Sequence, residues 1–451
     1  YGTSGSDNIS SNLWRETWSS LGSGSNHTPI NGELGSFYRP DGLLANSKLK
    51  WETTISRNFG IDFGFLNNRV NGSLEVYWNT TKDLLMAVPV DNTTGYSYQF
   101  QNFGKTSNRG IELSVNVDVI NKGDFRFNVG AIYNYNRNKL DELPNADQYL
   151  YSSYWGSSSL VPTNDYMFVE GKAIGLVRGF ISEGYYTVDD FNYTNGQYVL
   201  KEGVPDITKA LTATYMHPYD LPAGQTAFPG AAKFRDVDES GTVDLDDATC
   251  LGEVMPRHTG SFQLNFNYKN FDLSTNFNWT AGGKVYNVAA MINASGQEFD
   301  GIGAQRASWV ADAFKVYNVN AAGDLYAVTN PDELRALNAN AKYHLPYHQS
   351  GITSSEWLEN GSYLRLQTLT LGYTLPKNWL TKVHVDKIRL YLTATNLFTI
   401  TGYSGIDPEV NANPTGQSGF YSDLRIFPTL NMDFGTYPRA RTFTFGANIT
   451  F

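Results

Sequence analysis

The sequence has almost no cysteine, few charged residues and no long apolar run. A single Cys250 among 451 residues makes a disulfide framework impossible, and we expect it to be a packed thiol rather than a nucleophile. A membrane-spanning helix needs about 20 consecutive apolar residues, so a helical membrane protein is excluded. The net charge of -10 argues against nucleic acid as a partner, because phosphate binding requires a basic surface.

Aromatic residues and glycine are abundant where charge is scarce. Aromatics make up 14% of the chain, Gly occurs 42 times and Tyr 29 times, whereas charged residues reach only 17%. An ordinary soluble domain has roughly 25% charged residues. This composition favours β-strands. It is also compatible with a membrane barrel, whose strands alternate lipid-facing and lumen-facing residues.

Strict alternation of apolar and polar residues recurs along the chain. The nine clearest segments are 58–65, 73–79, 111–119, 125–135, 262–268, 271–279, 363–373, 388–394 and 442–451. Short turns at Gly123-Asp124 and Lys269-Asn270 join two of the hairpins. The alternation slips phase between Leu366 and Leu369, which predicts a β-bulge there.

Two β architectures produce such alternation, a soluble β-sandwich and a membrane barrel. The strands here run to roughly ten residues, longer than those of a typical sandwich. Their second face carries Asn, Ser, Gly and Thr rather than Lys and Glu, and aromatics cluster near strand ends. The predicted fold class is therefore all-β, a transmembrane antiparallel β-barrel with long extracellular loops.

Short turns and long loops alternate between the strands. Bacterial barrels keep short turns in the periplasm and long loops outside, so we expect Phe451 to be periplasmic. The same parity requires an even number of strands between the one ending near Arg137 and the one starting near Thr259. A weak pair, Tyr166–Glu170 and Ile174–Tyr186, fits there and brings the count to about eleven.

An acidic motif lies within the extracellular loop predicted over 187–257. Oxygen-bearing residues occupy positions 1, 3, 5, 7, 9 and 12 of this motif, with Gly241 at position 6, which is the spacing of a calcium loop. The candidate ligands are Asp236, Asp238, Ser240, Thr242 through its carbonyl, Asp244 and Asp247. Because no amphipathic helices flank the motif, we expect a structural Ca²⁺ clip. The alternative is a solvated acidic turn without metal.

Aromatic clusters in the long connections are candidates for stacking on sugars or lining a peptide groove, or for packing the loops. They are Tyr151, Tyr154, Trp155, Trp309, Tyr343 and Tyr347. His344 and His348 have the i,i+4 spacing of a zinc site, but the intervening Pro346 argues against one. The sequence has no Gly-x-Ser-x-Gly motif, phosphate-cradling loop or Cys–His pairing, so we expect neither catalysis nor an organic cofactor.

Ordered motifs spread along the chain carry a family resemblance. They are Gly60-Ile-Asp62-Phe-Gly-Phe-Leu66, Ser107-Asn-Arg109-Gly-Ile-Glu-Leu113, Pro256-Arg-His-Thr-Gly260, Tyr363-Leu-Arg365-Leu, Thr395-Asn-Leu-Phe398 and the terminal Phe451. Together with the acidic loop, they make the chain resemble the C-terminal half of the SusC/RagA family of TonB-dependent outer-membrane transporters.

The resemblance implies a 22-stranded barrel in the outer membrane of a Gram-negative, Bacteroidetes-like bacterium. Such a barrel is plugged by an N-terminal domain, capped by a SusD-like lipoprotein and energised by TonB, and it imports glycans or peptides. About eleven strands would be half of it, and the plug and first half-barrel are absent from these 451 residues. Because unpaired strand edges cost several kcal/mol per backbone group in lipid, we expect an upstream segment or a second chain to complete the barrel.

Two other functional interpretations are compatible with the sequence. An outer-membrane receptor or adhesin would display calcium-clipped loops without transport. An outer-membrane enzyme ranks last, because no nucleophile–base pair is recognisable.

Overall fold

The computed structural model describes residues 1–6, 14–16, 18–20, 29–30, 33–34, 38–40, 43–96, 98–143, 148–152, 161–212, 217–295, 307–345, 351–380, 385–410 and 430–451. The described residues fall into two compact units. The first comprises Tyr1–Tyr149 and Phe168–Ile174, and the second comprises Leu150–Met167, Gly175–Asn413 and Thr429–Phe451.

An antiparallel sheet of six strand segments forms the first unit. They are β1 (Gly2–Ser6), β2 (Glu52–Ser56), β3 (Asn58–Phe65), β4 (Val70–Lys82), β5 (Lys105–Lys122) and β6 (Phe125–Glu142). Both β2 and β3 pair with β4, so they are two parts of one strand interrupted at Arg57. The long β5–β6 hairpin matches the predicted one, with Ile111 opposite Tyr135.

Five consecutive antiparallel strands form the sheet of the second unit. They are β7 (His258–Tyr268), β8 (Phe271–Ala281), β9 (Tyr363–Thr374), β10 (Lys387–Thr401) and β11 (Thr442–Thr450). Lys269 adopts a positive φ of 50° in the short β7–β8 turn. The register shifts between Leu366 and Thr368, which confirms the predicted bulge.

The long strands have one apolar and one polar face, as the alternation predicts. On β11, Phe445 is 75% exposed, and Phe451 beyond the strand is 86% exposed. Hydroxyl pairs join neighbouring strands on the polar face, with Ser73 Oγ 3.0 Å from Ser114 Oγ. Outward-facing exposed aromatics are unfavourable in water and favourable in lipid. The strands are therefore built for a membrane environment.

The predicted weak strand pair is wrong as a pair of membrane strands. Tyr166 and Met167 pair with Val177 and Leu176, and the latter strand then pairs with Thr249–Glu253 in a small separate sheet. Ser182–Tyr185 pairs elsewhere, with Ala232–Phe234. Tyr166–Val169 and Leu176–Gly179 have only four residues each and bury residues on both faces, which suits packing inside a folded loop. Eleven segments are nevertheless present, because β1 and β2 take the place of the weak pair; with β2 and β3 counted as one strand they make ten strands.

The connections of the second unit are folded and carry its hydrophobic core. The core combines residues from the segment between β6 and β7 with residues from the segment between β8 and β9, including Phe180, Tyr186, Val243, Phe314 and Leu334. A membrane strand faces lipid on one side and the lumen on the other, so such strands enclose no apolar core. The buried apolar residues of this unit therefore lie mainly in its connecting segments.

Short elements complete the described structure. The strands are Trp18–Ser20, Pro29–Ile30, Glu33–Leu34, Tyr38–Pro40, Leu43–Leu44, Leu85–Pro89, Tyr98–Asn102, Gln148–Tyr151, Tyr166–Val169, Leu176–Gly179, Ser182–Tyr185, Phe191–Thr194, Gln197–Leu200, Asp206–Ile207, Ala232–Phe234, Thr242–Val243, Thr249–Glu253, Lys284–Asn287, Tyr317–Val319, Leu325–Ala327, Leu358–Asn360 and Met432–Asp433. The α-helices are Lys209–Thr212, Val288–Ser295, Ala307–Asp312, Pro331–Leu337 and Lys377–Leu380. The 3₁₀-helices are Asn92–Thr94, Val188–Asp190, Leu245–Asp247 and Ser355–Trp357. Among the described residues, no helix is long and apolar enough to cross a membrane.

Candidate functional site

The acidic motif folds into a tight loop that brings three carboxylates together. One oxygen from each of Asp236, Asp238 and Asp247 lies within 4.8 Å of the other two. Gly241 has a φ of +86°, the left-handed conformation that allows the chain to turn back on itself. Three like charges at this spacing repel one another, and a hard cation with oxygen ligands would neutralise them.

Backbone N–H groups orient these carboxylates. Asp247 is buried and accepts hydrogen bonds from Val237 N at 2.5 Å and Asp244 N at 2.8 Å. Asp236 accepts from Gly241 N at 2.7 Å. Hydrogen bonds from the Ser240 side chain and backbone hold the pKa of Asp238 below its ordinary value. The Asp238 carboxylate therefore favours its charged form, and the hydrogen bonds hold the oxygens of all three carboxylates close together.

The other predicted ligands are placed differently. The Ser240 hydroxyl donates to the Thr242 carbonyl at 2.9 Å, so that carbonyl oxygen already accepts one hydrogen bond. Asp244 caps the Leu245–Asp247 3₁₀-helix, and its side chain accepts from Asp246 N at 2.8 Å. Ser240, Thr242 and Asp244 lie in the same loop, but the Asp244 carboxylate is not one of the three that converge.

The loop is fixed to the core through a residue that the spacing argument overlooked. Val243, at position 8 of the motif, is fully buried and pairs in parallel with Ile207. Thr208 N donates to Val243 O at 3.0 Å on the same short ladder. An apolar residue directly after the fourth ligand was the available sequence signal. Its burial makes the loop geometry depend on the core.

The candidate aromatic residues that the structure describes are packed rather than freely presented. Tyr151 is buried against Tyr166, with ring centroids 5.6 Å apart. Trp309 is only 6% exposed and stacks on Tyr343 at 5.1 Å. Sequence analysis correctly grouped Trp309 and Tyr343 in one aromatic cluster, although the two residues are 34 positions apart in the chain. Tyr154, Trp155 and Tyr347 lie outside the described residues, so their role stays a prediction.

The structure also describes the positions of His344 and Cys250, which the sequence analysis named. His344 is buried beside Trp309, and burial lowers its pKa to about 4, so its ring is neutral at physiological pH. Its predicted spacing partner, His348, lies outside the described residues. Cys250 is exposed on the Thr249–Glu253 strand, so the expectation of a packed thiol is wrong.

A buried charge network anchors the segment after β10 and was missed by sequence reasoning. Arg365 on β9 is 2% exposed, and its Nη2 lies 2.5 Å from Asp407 Oδ1. Its Nη1 lies 3.0 Å from Glu409 Oε2, and Glu409 also pairs with Arg439 at 2.9 Å. The only sequence signal for this network was a charged residue, Arg365, in a strand of alternating apolar and polar residues. It lies next to the position where that alternation shifts by one residue.

Comparison with known families identifies the kind of protein to which these strands, with one apolar and one polar face, belong. A family model described as "TonB dependent receptor-like, beta-barrel" matches residues 17–397. The chain belongs to this TonB-dependent receptor family. A TonB-dependent receptor of Formosa agariphila is 30% identical over 409 residues, which cover 90% of this chain and 35% of that protein. The TonB-dependent receptor SusC of Bacteroides thetaiotaomicron is 27% identical over 416 residues, covering 90% and 32%.

Solved structures agree on the fold of this TonB-dependent receptor chain. A structure described as the RagAB peptide transporter superposes with a TM-score of 0.65 at 21% identity, covering 100% of this chain and 40% of that one. The SusC/RagA resemblance seen in the motifs is thereby confirmed, and so is the all-β barrel fold class. The chain spans about a third of the length of the curated relatives described above.

Membership in this receptor family assigns the two faces of the strands. Its barrels lie in the outer membrane of Gram-negative bacteria, so the apolar face is the lipid-facing one and the polar face lines the lumen. The hydroxyl and amide groups on β4, β5, β7 and β8 therefore point toward the interior.

Proposed function

We propose that this chain forms part of the wall and the outer loops of a SusC-type importer of oligosaccharides or peptides. The proposal rests on one observation: strands with one apolar and one polar face are joined to a folded loop region that has its own hydrophobic core. A hydroxyl- and amide-lined interior suits the passage of a polar solute, and a rigid loop region suits its recognition outside.

The proposal includes partners beyond these 451 residues. Open strand edges cannot persist in lipid, so further strands complete the barrel, from an upstream segment or a second chain. A plug in that remainder receives energy from TonB, and a SusD-like lipoprotein caps the outer loops. The RagAB structure is described as a peptide transporter, which supports a peptide as one of the two cargo classes considered.

Uptake by intact cells tests this function. The full-length protein is deleted and restored in its host, and uptake of labelled oligosaccharide and peptide pools is measured with and without functional TonB. We expect uptake of one pool to require both proteins. Ligand binding at the cell surface that persists without any TonB-dependent uptake would instead support the receptor or adhesin reading.

We also propose that the Asp236–Asp247 loop binds Ca²⁺ as a structural clip in an extracellular loop. The supporting observations are the three converging carboxylates and the backbone N–H groups that keep them oriented. Oxygen ligands bind Ca²⁺ at about 2.3–2.6 Å, so carboxylate oxygens within 4.8 Å of one another are close enough to share one ion.

Elemental analysis tests the clip directly. Asp236→Ala combined with Asp238→Ala should abolish calcium bound to the purified full-length protein. Asp246→Ala is the matched control, because Asp246 is exposed in the same loop and lies outside the carboxylate cluster. Calcium retained in the double variant, or absent from the unaltered protein, would leave an acidic turn without metal.

A further inference from the structure

Three arginines and a tryptophan form one row across the sheet of the first unit. Trp78 N on β4 donates to Arg57 O at 3.0 Å. Arg109 on β5 lies opposite Trp78, and Arg137 on β6 lies opposite Arg109. Neighbouring strands lie about 4.8 Å apart, so this arginine row crosses four strands and is about 14 Å wide.

Arg57 belongs to the arginine row although it lies between β2 and β3. Ile55 pairs with Thr80 before it, and Asn58 pairs with Tyr77 after it. Both pairs keep the same register, so the strand runs through Arg57 without a bulge. The Arg57 side chain therefore shares a face with the residues two positions away on its strand.

The arginine row lies on the lipid-facing side, at the end of the strands nearest the long connections. Two residues closer to the short turns, the same four strands carry an apolar row on the same face, formed by Phe59, Val76, Ile111 and Tyr135. Phe59 is 61% exposed, which suits contact with lipid. The arginine row therefore marks the edge of the apolar band, and its exposed Trp78 suits the interface between lipid and water.

The charges of the arginine row have no ion-pair partner among the described side chains. No salt bridge between described residues includes Arg57, Arg109 or Arg137. Glu75 and Glu112 lie opposite each other on β4 and β5, but they are on the polar face. Charged groups beside hydrocarbon are unfavourable without a counter-charge, so three positive charges at this edge require an anion.

We propose that the arginine row binds a phosphorylated glycolipid of the outer leaflet. The inference rests on the proposed function, because it requires the long connections to lie outside the cell. The ligand must be amphipathic, because the arginine row borders the apolar row directly. Guanidinium groups form paired hydrogen bonds with phosphate. Arg109 and Arg137 are on adjacent strands, so one phosphate group fits between them.

The width of the arginine row favours a glycolipid over a phospholipid. Arg57 lies two strands away from Arg109, a distance of about 10 Å, which a single phosphate group does not span. A sugar headgroup does span it, with its ring against Trp78 and its oxygens accepting hydrogen bonds from Arg57. The acyl chains of the same lipid then lie along the apolar row.

Native mass spectrometry of the full-length protein in detergent measures this binding. The probe is monophosphoryl lipid A, and its phosphate-free analogue is the control ligand. Arg57→Gln, Arg109→Gln and Arg137→Gln combined should weaken the affinity for the probe about a hundredfold, because each basic group near a lipid surface adds to the attraction. The phosphate-free analogue should bind weakly to both proteins.

A conservative variant separates loss of charge from loss of fold. Arg57→Lys, Arg109→Lys and Arg137→Lys combined keep all three positive charges. This variant should therefore recover most of the affinity that the glutamine variant loses.

A second variant is the matched control for net charge. Lys122→Gln, Lys269→Gln and Lys377→Gln combined remove the same number of positive charges as the glutamine variant. These lysines are exposed and lie at the short-turn end of the strands, far from the arginine row. The affinity for the probe should be unchanged.

Four outcomes would overturn the proposal. They are equal binding of the phosphate-free analogue, unchanged affinity in the glutamine variant, equally tight binding of phosphatidylglycerol, and displacement of the probe by an equal concentration of inorganic phosphate. A failure of this kind is distinguishable from a failure of the transport function, because TonB-dependent uptake is measured separately on the unaltered protein.

Discussion

Glu356 is a half-buried carboxyl whose protonation is coupled to folding of the outer loops. It lies in the Ser355–Trp357 3₁₀-helix beside buried Trp357, and burial raises its pKa to about 7. A folded-state pKa above the unfolded value means that the folded protein holds a proton that the unfolded chain releases. Stability is therefore highest below the unfolded pKa and falls as the pH rises toward 7.

Glu356→Gln should remove this pH dependence. At pH 8 the variant should be more stable than the unaltered protein by up to roughly 3 kcal/mol, and at pH 4.5 the difference should vanish. Thermal unfolding of the full-length protein in detergent at both pH values measures the effect. Glu202→Gln is the control, because Glu202 is exposed. Equal stabilisation at both pH values would contradict the assignment to Glu356.

Arg365 shows how one side chain ties a loop to the barrel wall. Arg365→Met leaves Asp407 buried without its partner, and removing one member of a buried pair costs about 3–5 kcal/mol. The same change at Arg335 is the control, because Arg335 is half-exposed and solvent screens its pairs with Asp189 and Asp332, so the loss there should be small. Chemical denaturation compares the two variants. Similar losses in both would mean that burial of the Arg365 network is unimportant.

At the scale of secondary-structure elements, glycines on the polar face leave room for side chains of neighbouring strands to lie across the glycine's own strand. The Tyr77 ring covers Gly110, and the Tyr391 ring covers Gly446, where an added Cβ would lie within about 2.4 Å of ring atoms. Gly372 does the same for the Asp272–Arg389 pair. Aromatic or charged groups from the neighbouring strand shield these glycines and hold the strand register.

Gly372→Ala should separate Asp272 from Arg389 and destabilise the second unit. We expect a loss of about 1–3 kcal/mol, measured by denaturant unfolding. Gly402→Ala is the matched control, since no atom lies within 4 Å of the added Cβ, and it should change stability by less than about 0.5 kcal/mol. A neutral Gly372→Ala variant would show that the ion pair adapts without cost.

At the scale of the whole molecule, orientation remains a prediction, and Cys250 offers a direct probe of it. The thiol is exposed, and it lies in the connection between β6 and β7 that parity places outside the cell. A membrane-impermeant maleimide should label intact cells that carry the protein, and Cys250→Ser should lose that label. Labelling only after the outer membrane is permeabilised would reverse the assigned orientation.

Local pattern sufficed for the long strands and for the acidic loop. Period-two alternation and short turns depend on neighbouring residues only, so hairpins such as β5–β6 and the bulge near Leu366 followed from sequence. Ligand spacing likewise placed Asp236 and Asp238 in one loop. The four-residue strands around Tyr166 were misassigned, because a short buried run looks the same in a barrel and in a packed loop.

By itself the sequence determined the two-faced strands, their antiparallel order and the kinship with TonB-dependent receptors, because each depends on local periodicity or on linear motifs. Only the tertiary structure decided that the outer connections share a hydrophobic core and that Val243 fixes the acidic loop to it. It also decided that Arg365 meets Asp407, 42 residues away, and that Arg389 reaches Asp272 over Gly372. These contacts join residues distant in the chain, and no local pattern specifies such a partner.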